Sequence, residues 1–200
     1  DAVMPILGNK GEIYYKDAYH PLLLLKNLAM KKETVPFEVE IDKKQSILLI
    51  SGPNAGGKSV CLKAVGLMQM MLQFGLLLPC DGNSKVLLFE QIFADLGDKQ
   101  SIEDELSTYS SHLFLMKNFL KRANGKTLFL IDEFGTGTDP RLGAAMAEAL
   151  ILRLASTTAY GVITTHYSNL KKVAEQDNRF LNAAMVFNEE NLSPTYQLKT

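Results

Sequence analysis

Gly52-Pro53-Asn54-Ala55-Gly56-Gly57-Lys58-Ser59 matches the pattern G-x-x-x-x-G-K-[ST], and its flanks decide what the match means. The apolar run Ser46-Ile47-Leu48-Leu49-Ile50-Ser51 before it reads as a buried strand, and Val60 to Phe74 after it reads as a helix. A strand, a glycine-rich turn and a helix form the context that a phosphate-binding loop requires. Gly52, Gly56 and Gly57 let backbone N–H groups approach a phosphate chain without a Cβ in the way. Those groups and the following helix N-terminus make an anion site. Lys58 is expected to reach β- and γ-phosphates, and the Ser59 hydroxyl to ligate Mg²⁺. The pattern predicts a nucleotide-binding loop.

A second stretch supplies the acids. Thr127-Leu128-Phe129-Leu130-Ile131-Asp132-Glu133 reads as a buried parallel strand that delivers two carboxylates at its C-terminal end, the edge where open α/β sheets bind ligands. Asp132 is expected to hold the metal, directly or through water, and Glu133 to polarise an attacking water. A short β-branched strand, Tyr160 to Thr164, leads into Thr165-His166. A lone histidine is more often structural, but one at a strand end after the carboxylate strand is a candidate γ-phosphate sensor.

Around these stretches the chain alternates. Gly11 to Tyr15 and Phe37 to Ile41 have strand periodicity, and Tyr19-His20-Pro21 with Leu22 to Leu25 reads as an apolar turn and run. Residues 1–45 are thus expected to form an antiparallel β flank of a single domain spanning 1–200. Val86 to Phe89 and Ile92 to Leu96 read as short strands. Ser107 is expected to cap a helix running to about Arg122, and Arg141 to Ala155 forms another. A helix near Ser168 to Gln176 precedes a terminal hairpin, Leu181 to Phe187 with Thr195 to Lys199. The expected class is α/β: a mostly parallel sheet wrapped by helices, with antiparallel additions at both ends.

Composition narrows the partners. The formal charge of −1, from 21 basic and 22 acidic residues, lacks the basic excess of a nucleic-acid-binding surface, so contacts to DNA or RNA are expected elsewhere. Four arginines (Arg122, Arg141, Arg153 and Arg179) argue against an arginine-clamp phosphate kinase. Cys61 and Cys80 have neither metal nor disulfide spacing and point to a reducing, cytoplasmic setting; Cys61 reads as a small core residue. The longest apolar tract, Gly66 to Pro79, is too short for a bilayer. A start at Asp1 and a strand-like end read as a domain of a longer protein.

Taken in order, these motifs resemble the ATPase domain of the MutS family, within the ABC superclass of P-loop ATPases. The resemblance runs through His20-Pro21, Val35-Pro36, the Gly52–Ser59 loop, Leu106-Ser107-Thr108-Tyr109, Asp132-Glu133 and Thr165-His166. Asp98 to Glu103, the continuation to His112, and Gly135-Thr136-Gly137-Thr138-Asp139-Pro140 look like the MutS2 branch; mismatch-repair members usually carry Arg where Thr136 stands. The resemblance implies a homodimer with composite ATP sites, Ser107 of one subunit contacting the γ-phosphate bound by the other and Thr138 and Asp139 in the loop crossing the interface. It places adenine near Val35 and His20, although Thr34 stands where the family often has an aromatic residue. It further implies coupling of ATP state to a DNA clamp held by domains outside this chain, in mismatch repair or recombination suppression, with stalled ribosomes as a further partner in some members.

Other ATPases of the superclass fit less well. A transporter subunit needs a Leu-Ser-Gly-Gly-Gln type motif, which is absent, and a cohesin-like ATPase needs a long coiled coil where only 47 residues run from Ser59 to Leu106. A small-molecule kinase needs a basic lid, and a module without hydrolysis would not need Lys58, Ser59, Asp132 and Glu133 together.

Overall fold

A computed structural model describes residues 2–8, 11–52, 56–96, 105–133, 139–188 and 193–200, with backbone only for 105–111, 187–188 and 193–194. The first elements are β1 (Ile6–Leu7), β2 (Ile13–Ala18), α1 (Pro21–Ala29), β3 (Phe37–Ile41), β4 (Ile47–Ser51) and α2 (Lys58–Gln73). Then follow β5 (Lys85–Val86), β6 (Gln91–Asp95), α3 (Glu105–Arg122), β7 (Thr127–Ile131) and α4 (Pro140–Ala155). The chain closes with β8 (Tyr160–Thr165), α5 (Ser168–Gln176), β9 (Phe180–Asn188) and β10 (Ser193–Lys199). These elements form two compact units, one of Asp1–Lys43, Gly52–Leu88 and Ala183–Thr200, the other of Lys44–Ser51 and Phe89–Asn182.

The second unit is built on four parallel strands in the order β4-β8-β7-β6. Strands buried on both faces should be continuously apolar rather than alternating. Ile47 to Ile50 of β4 are each 0% exposed, and every residue of β7 and β8 is buried. Burial of each such Leu or Ile side chain contributes about 1.5–3 kcal/mol. Gly161 of β8 has a steric reason to be glycine, since a Cβ there would meet the Phe129 ring at 2.1 Å. Helix α4 buries Gly143, Ala147, Ile151 and Leu154 at helical spacing, and α5 buries Leu170 and Ala174. Phe93 of β6 stacks on Phe119 of α3 with ring centroids 4.6 Å apart.

In the first unit β2 pairs antiparallel with β3, whose Phe37, Val39 and Ile41 face inward while Glu38 and Glu40 face out. A register shift after Tyr15, with Asp17 at φ 45°, bends β2 before Ala18. Helix α2 buries Leu62, Val65, Met68 and Leu72 on one side. It stops at Gly75, φ 73°, where Gly75 N–H donates to Leu72 O and Leu76 N–H to Met71 O, the paired bonds of a Schellman closure. Buried Gln69 is satisfied by donating to Leu87 O at 2.8 Å and accepting from the Tyr15 hydroxyl at 3.4 Å.

Three expectations change. The leucine run after His20 is the helix α1 and not part of a β flank: Pro21 occupies its first turn and His20 Nδ1 accepts Leu23 N–H. Its pattern misleads because Leu22, Leu25 and Leu28 are exposed and only Pro21 is buried. Helix α3 covers Glu105–Arg122 among the described residues, so Ser107 lies inside it instead of capping it. The strand expected over Val86 to Phe89 shrinks to Lys85–Val86, since Glu90 N–H turns to Lys126 O. Among the described residues, no helix is long and apolar enough to cross a membrane.

Candidate functional site

From the end of β4 the chain passes through Gly52 at φ 129° and Gly57 at φ 94° before α2 begins at Lys58. Both backbones are ones that L side chains rarely adopt, which explains the glycines. Gly57 is the N-cap of α2 and contributes no side chain, so the positive end of the helix dipole is presented by backbone alone. Gly56 is buried, Ser59 half-buried in the first turn, and Pro53, Asn54 and Ala55 lie outside the described residues. Lys58 is 2% exposed, and its Nζ donates to Gly52 O at 2.8 Å, which folds the ammonium across the mouth of its own loop. Lys58 thus lies at the N-terminus of α2, the end of a helix that favours anions.

Beside Gly57 is a cavity of about 360 Å³, within the range of small-ligand pockets. His20, Thr34 and Val35 line it together with Val60, Cys61 and Tyr196, so the two residues expected to meet adenine share a cavity with Gly57. The Asn27 amide donates to Glu33 O at 3.2 Å and Thr34 Oγ1 at 3.1 Å, fixing that wall. Burial lowers the His20 pKa, the Lys63 charge acting in the same direction and a backbone hydrogen bond against it. Burial pushes the Cys61 thiol up to about 12, leaving it an inert wall. Tyr196 escaped the sequence reading. It sits in β10 at φ 58°, and its Cδ1 lies 3.0 Å from where a Gly57 Cβ would be. No local pattern links a residue of the last strand to the loop.

In the second unit, Asp132 and Glu133 follow directly on β7, as expected for strand-borne acids. Asp132 is 9% exposed; its N–H donates to Asp95 O at 2.8 Å and its Oδ1 accepts from the Thr164 hydroxyl. Glu133 N–H donates to the same hydroxyl at 2.8 Å, and Glu133 takes φ 49°, a left-handed conformation uncommon outside glycine. Asp95 Oδ2 is hydrogen-bonded to His112 Nδ1 of α3 at 2.5 Å. His166 lies just past β8, exposed, its ring 4.5 Å from that of Tyr167. Asp139 caps α4 by accepting from Arg141 N–H at 3.0 Å and Leu142 N–H at 3.1 Å. Thr138 falls outside the described residues, and the Ser107 side chain is not described.

Among the described residues no three His, Cys, Asp or Glu side chains gather as a cage for a metal. A hard cation carried by phosphates needs none: Mg²⁺ takes one or two protein oxygens and fills its octahedron with phosphate and water. The Asp132 carboxylate and Ser59 hydroxyl are oxygen donors of that kind.

Comparison with known proteins agrees with this chemistry. The MutS domain V family matches residues 48–200. Among curated proteins, Endonuclease MutS2 of Caldicellulosiruptor saccharolyticus is 42% identical over 198 residues, 99% of this chain and 24% of that protein. Endonuclease MutS2 of Clostridium perfringens strain SM101 is 44% identical over 195 residues, 98% and 24%. Endonuclease MutS2 of Carboxydothermus hydrogenoformans is 42% identical over 198 residues, 99% and 25%. The chain therefore spans about a quarter of the length of the curated relatives it matches. With glycines at positive φ at positions 52 and 57, carboxylates at the end of β7 and this agreement along nearly the whole chain, the protein belongs to the MutS family, as a domain V of the MutS2 branch.

Proposed function

We propose that this MutS-type ATPase domain binds ATP with Mg²⁺, hydrolyses it to ADP and phosphate, and uses the cycle to make and break a homodimer. The observation that carries the reading is the buried Lys58, turned across its own loop at a helix N-terminus that no side chain caps. In this reading the Gly52–Ser59 backbone and Lys58 cradle the phosphates, and the cavity bearing His20, Val35 and Tyr196 takes the base. Ser59 and Asp132 hold the metal, which when bound neutralises charge developing on the phosphates. Glu133 orients and polarises the attacking water, and His166 senses the γ-phosphate. Ser107 of one subunit reports on the nucleotide held by the other, with Asp139 in the loop between them.

Contacts to mismatched or branched DNA, and to ribosomes where they occur, belong on this view to other parts of the full-length protein. That division accords with a net charge of −1. The ATP cycle would set the state of a DNA clamp in mismatch repair or suppression of recombination, in the cytoplasm.

The test is sedimentation velocity with Mg²⁺ and ATP, run beside phosphate release, for the parent chain and Glu133→Gln. Expected are parent turnover, a loss of about 10²–10⁴-fold in the variant, and a dimer trapped by ATP in that variant. Unchanged turnover in Glu133→Gln overturns its role; absence of nucleotide binding in the parent overturns the reading.

A further inference from the structure

The Thr164 side chain is 0% exposed, so its hydroxyl must satisfy itself within the protein. A threonine hydroxyl has one proton to give and two lone pairs to offer. Here the proton goes to Asp132 Oδ1, and a lone pair takes the Glu133 N–H at 2.8 Å. One oxygen atom therefore grips the two acids at once, by a side chain in one case and by the backbone in the other. On the opposite side, Asp132 N–H is held by Asp95 O at 2.8 Å, from the neighbouring strand β6. Glu133 meanwhile leaves β7 at φ 49°. Such a backbone persists only where its surroundings hold it, and the bond to Thr164 is one contact that does so.

We propose that Thr164 is the positioning residue of the carboxylate pair. By donating to Oδ1 it fixes the orientation of the Asp132 carboxylate, the group that would hold the metal. By holding the Glu133 N–H it fixes the backbone turn from which the Glu133 side chain departs. Thr164 acts through Asp132 and Glu133, the two residues that its hydroxyl bonds. This inference rests on the hydrolytic reading, and it adds a requirement that neither acid alone explains: the residue beside them must both donate and accept. Valine has the same shape and does neither. Serine does both without the methyl group.

The experiment compares the 200-residue parent chain with Thr164→Val and Thr164→Ser. Thermal melting establishes that each is folded. Titration with a fluorescent ATP analogue is done in EDTA and then at increasing Mg²⁺, and phosphate release is measured at saturating Mg²⁺. Polar groups that orient a metal ligand are typically worth 10–100-fold in metal affinity or activity. For Thr164→Val we expect unchanged analogue affinity in EDTA, a Mg²⁺ half-saturation raised about 10-fold, and kcat lowered about 10–100-fold with KM nearly constant. Thr164→Ser is expected to recover both quantities to within about 3-fold.

Parent-like Mg²⁺ dependence and kcat in a folded Thr164→Val would overturn the proposal. So would a folded Thr164→Ser as defective as Thr164→Val, since packing of the methyl group would then be what matters. If Thr164→Val does not fold, Thr164→Ala against Thr164→Ser makes the same comparison. A parent that binds the analogue but releases no phosphate would overturn the hydrolytic reading instead, and the Mg²⁺ titration would still decide the role of Thr164.

Discussion

Gly57→Ala is the substitution for which the structure yields a worked magnitude. Gly57 stands at φ 94°, and a non-glycine residue in the left-handed region costs about 1–2 kcal/mol. The new Cβ would also meet Tyr196 Cδ1 at 3.0 Å and Met185 Cε at 3.5 Å, so the tyrosine ring must give by a few tenths of an ångström. If the loop relaxes to escape this strain, a nucleotide must restore it on binding, and 1–2 kcal/mol corresponds to about a 5–30-fold loss of affinity. Gly75→Ala is the built-in comparison. It has nearly the same problem, φ 73°, but nothing lies within 4 Å of its Cβ, and it closes the far end of α2. It should lower the melting temperature while leaving nucleotide affinity intact. Titration of a fluorescent ATP analogue and thermal melting, on both variants and on Gly57→Ala combined with Tyr196→Ala, separate conformational strain from contact. Parent-like affinity in Gly57→Ala would refute the reasoning, as would an equal loss in Gly75→Ala.

Two further outcomes can be checked by melting alone. Because burial depresses the His20 pKa, the unfolded chain takes up a proton before the folded one as pH falls. The stability contributed by neutral His20 should be complete above its ordinary value of 6.5 and be lost progressively below it. His20→Asn, a cap that does not titrate, should therefore fall behind the parent less at pH 5 than at pH 8; a gap independent of pH would refute this. In the other unit, Gly161→Ala puts a Cβ 2.1 Å from the Phe129 ring and should cost about 1–3 kcal/mol or more, partly recovered by Phe129→Leu; melting like that of the parent would refute the packing argument.

What could be read from the sequence was what short-range chemistry writes there. Ile47 to Ile50 declare a strand covered on both faces, Gly57-Lys58-Ser59 a glycine turn into a helix, and Asp132-Glu133 the end of a strand, because each depends on neighbours in the chain. Helix α1 is not legible in Leu22 to Leu25, an unbroken apolar run without helical period; the informative residues are His20 and Pro21 at its start. Thr164 looked like one more β-branched strand residue. Its role rests on hydrogen bonds to residues 31 and 32 positions away, which pairing of β7 with β8 creates and periodicity cannot encode. Tyr196 is hidden for the same reason: its position against Gly57 is a product of tertiary packing.

The order β4-β8-β7-β6 also governs how the chain is born. Residue 47 pairs with residue 161, 114 positions later, and the same interval holds at every rung to Ser51 and Thr165. At synthesis rates of about 5–20 residues per second, Ile47 to Ile50 wait roughly 6–20 s after emerging before β8 exists. Through that interval an uncharged, β-prone Ile-Leu-Leu-Ile segment is exposed without the strand that will cover it. The two charges just upstream, Lys43 and Lys44, stand where gatekeeper residues disfavour premature pairing between nascent chains.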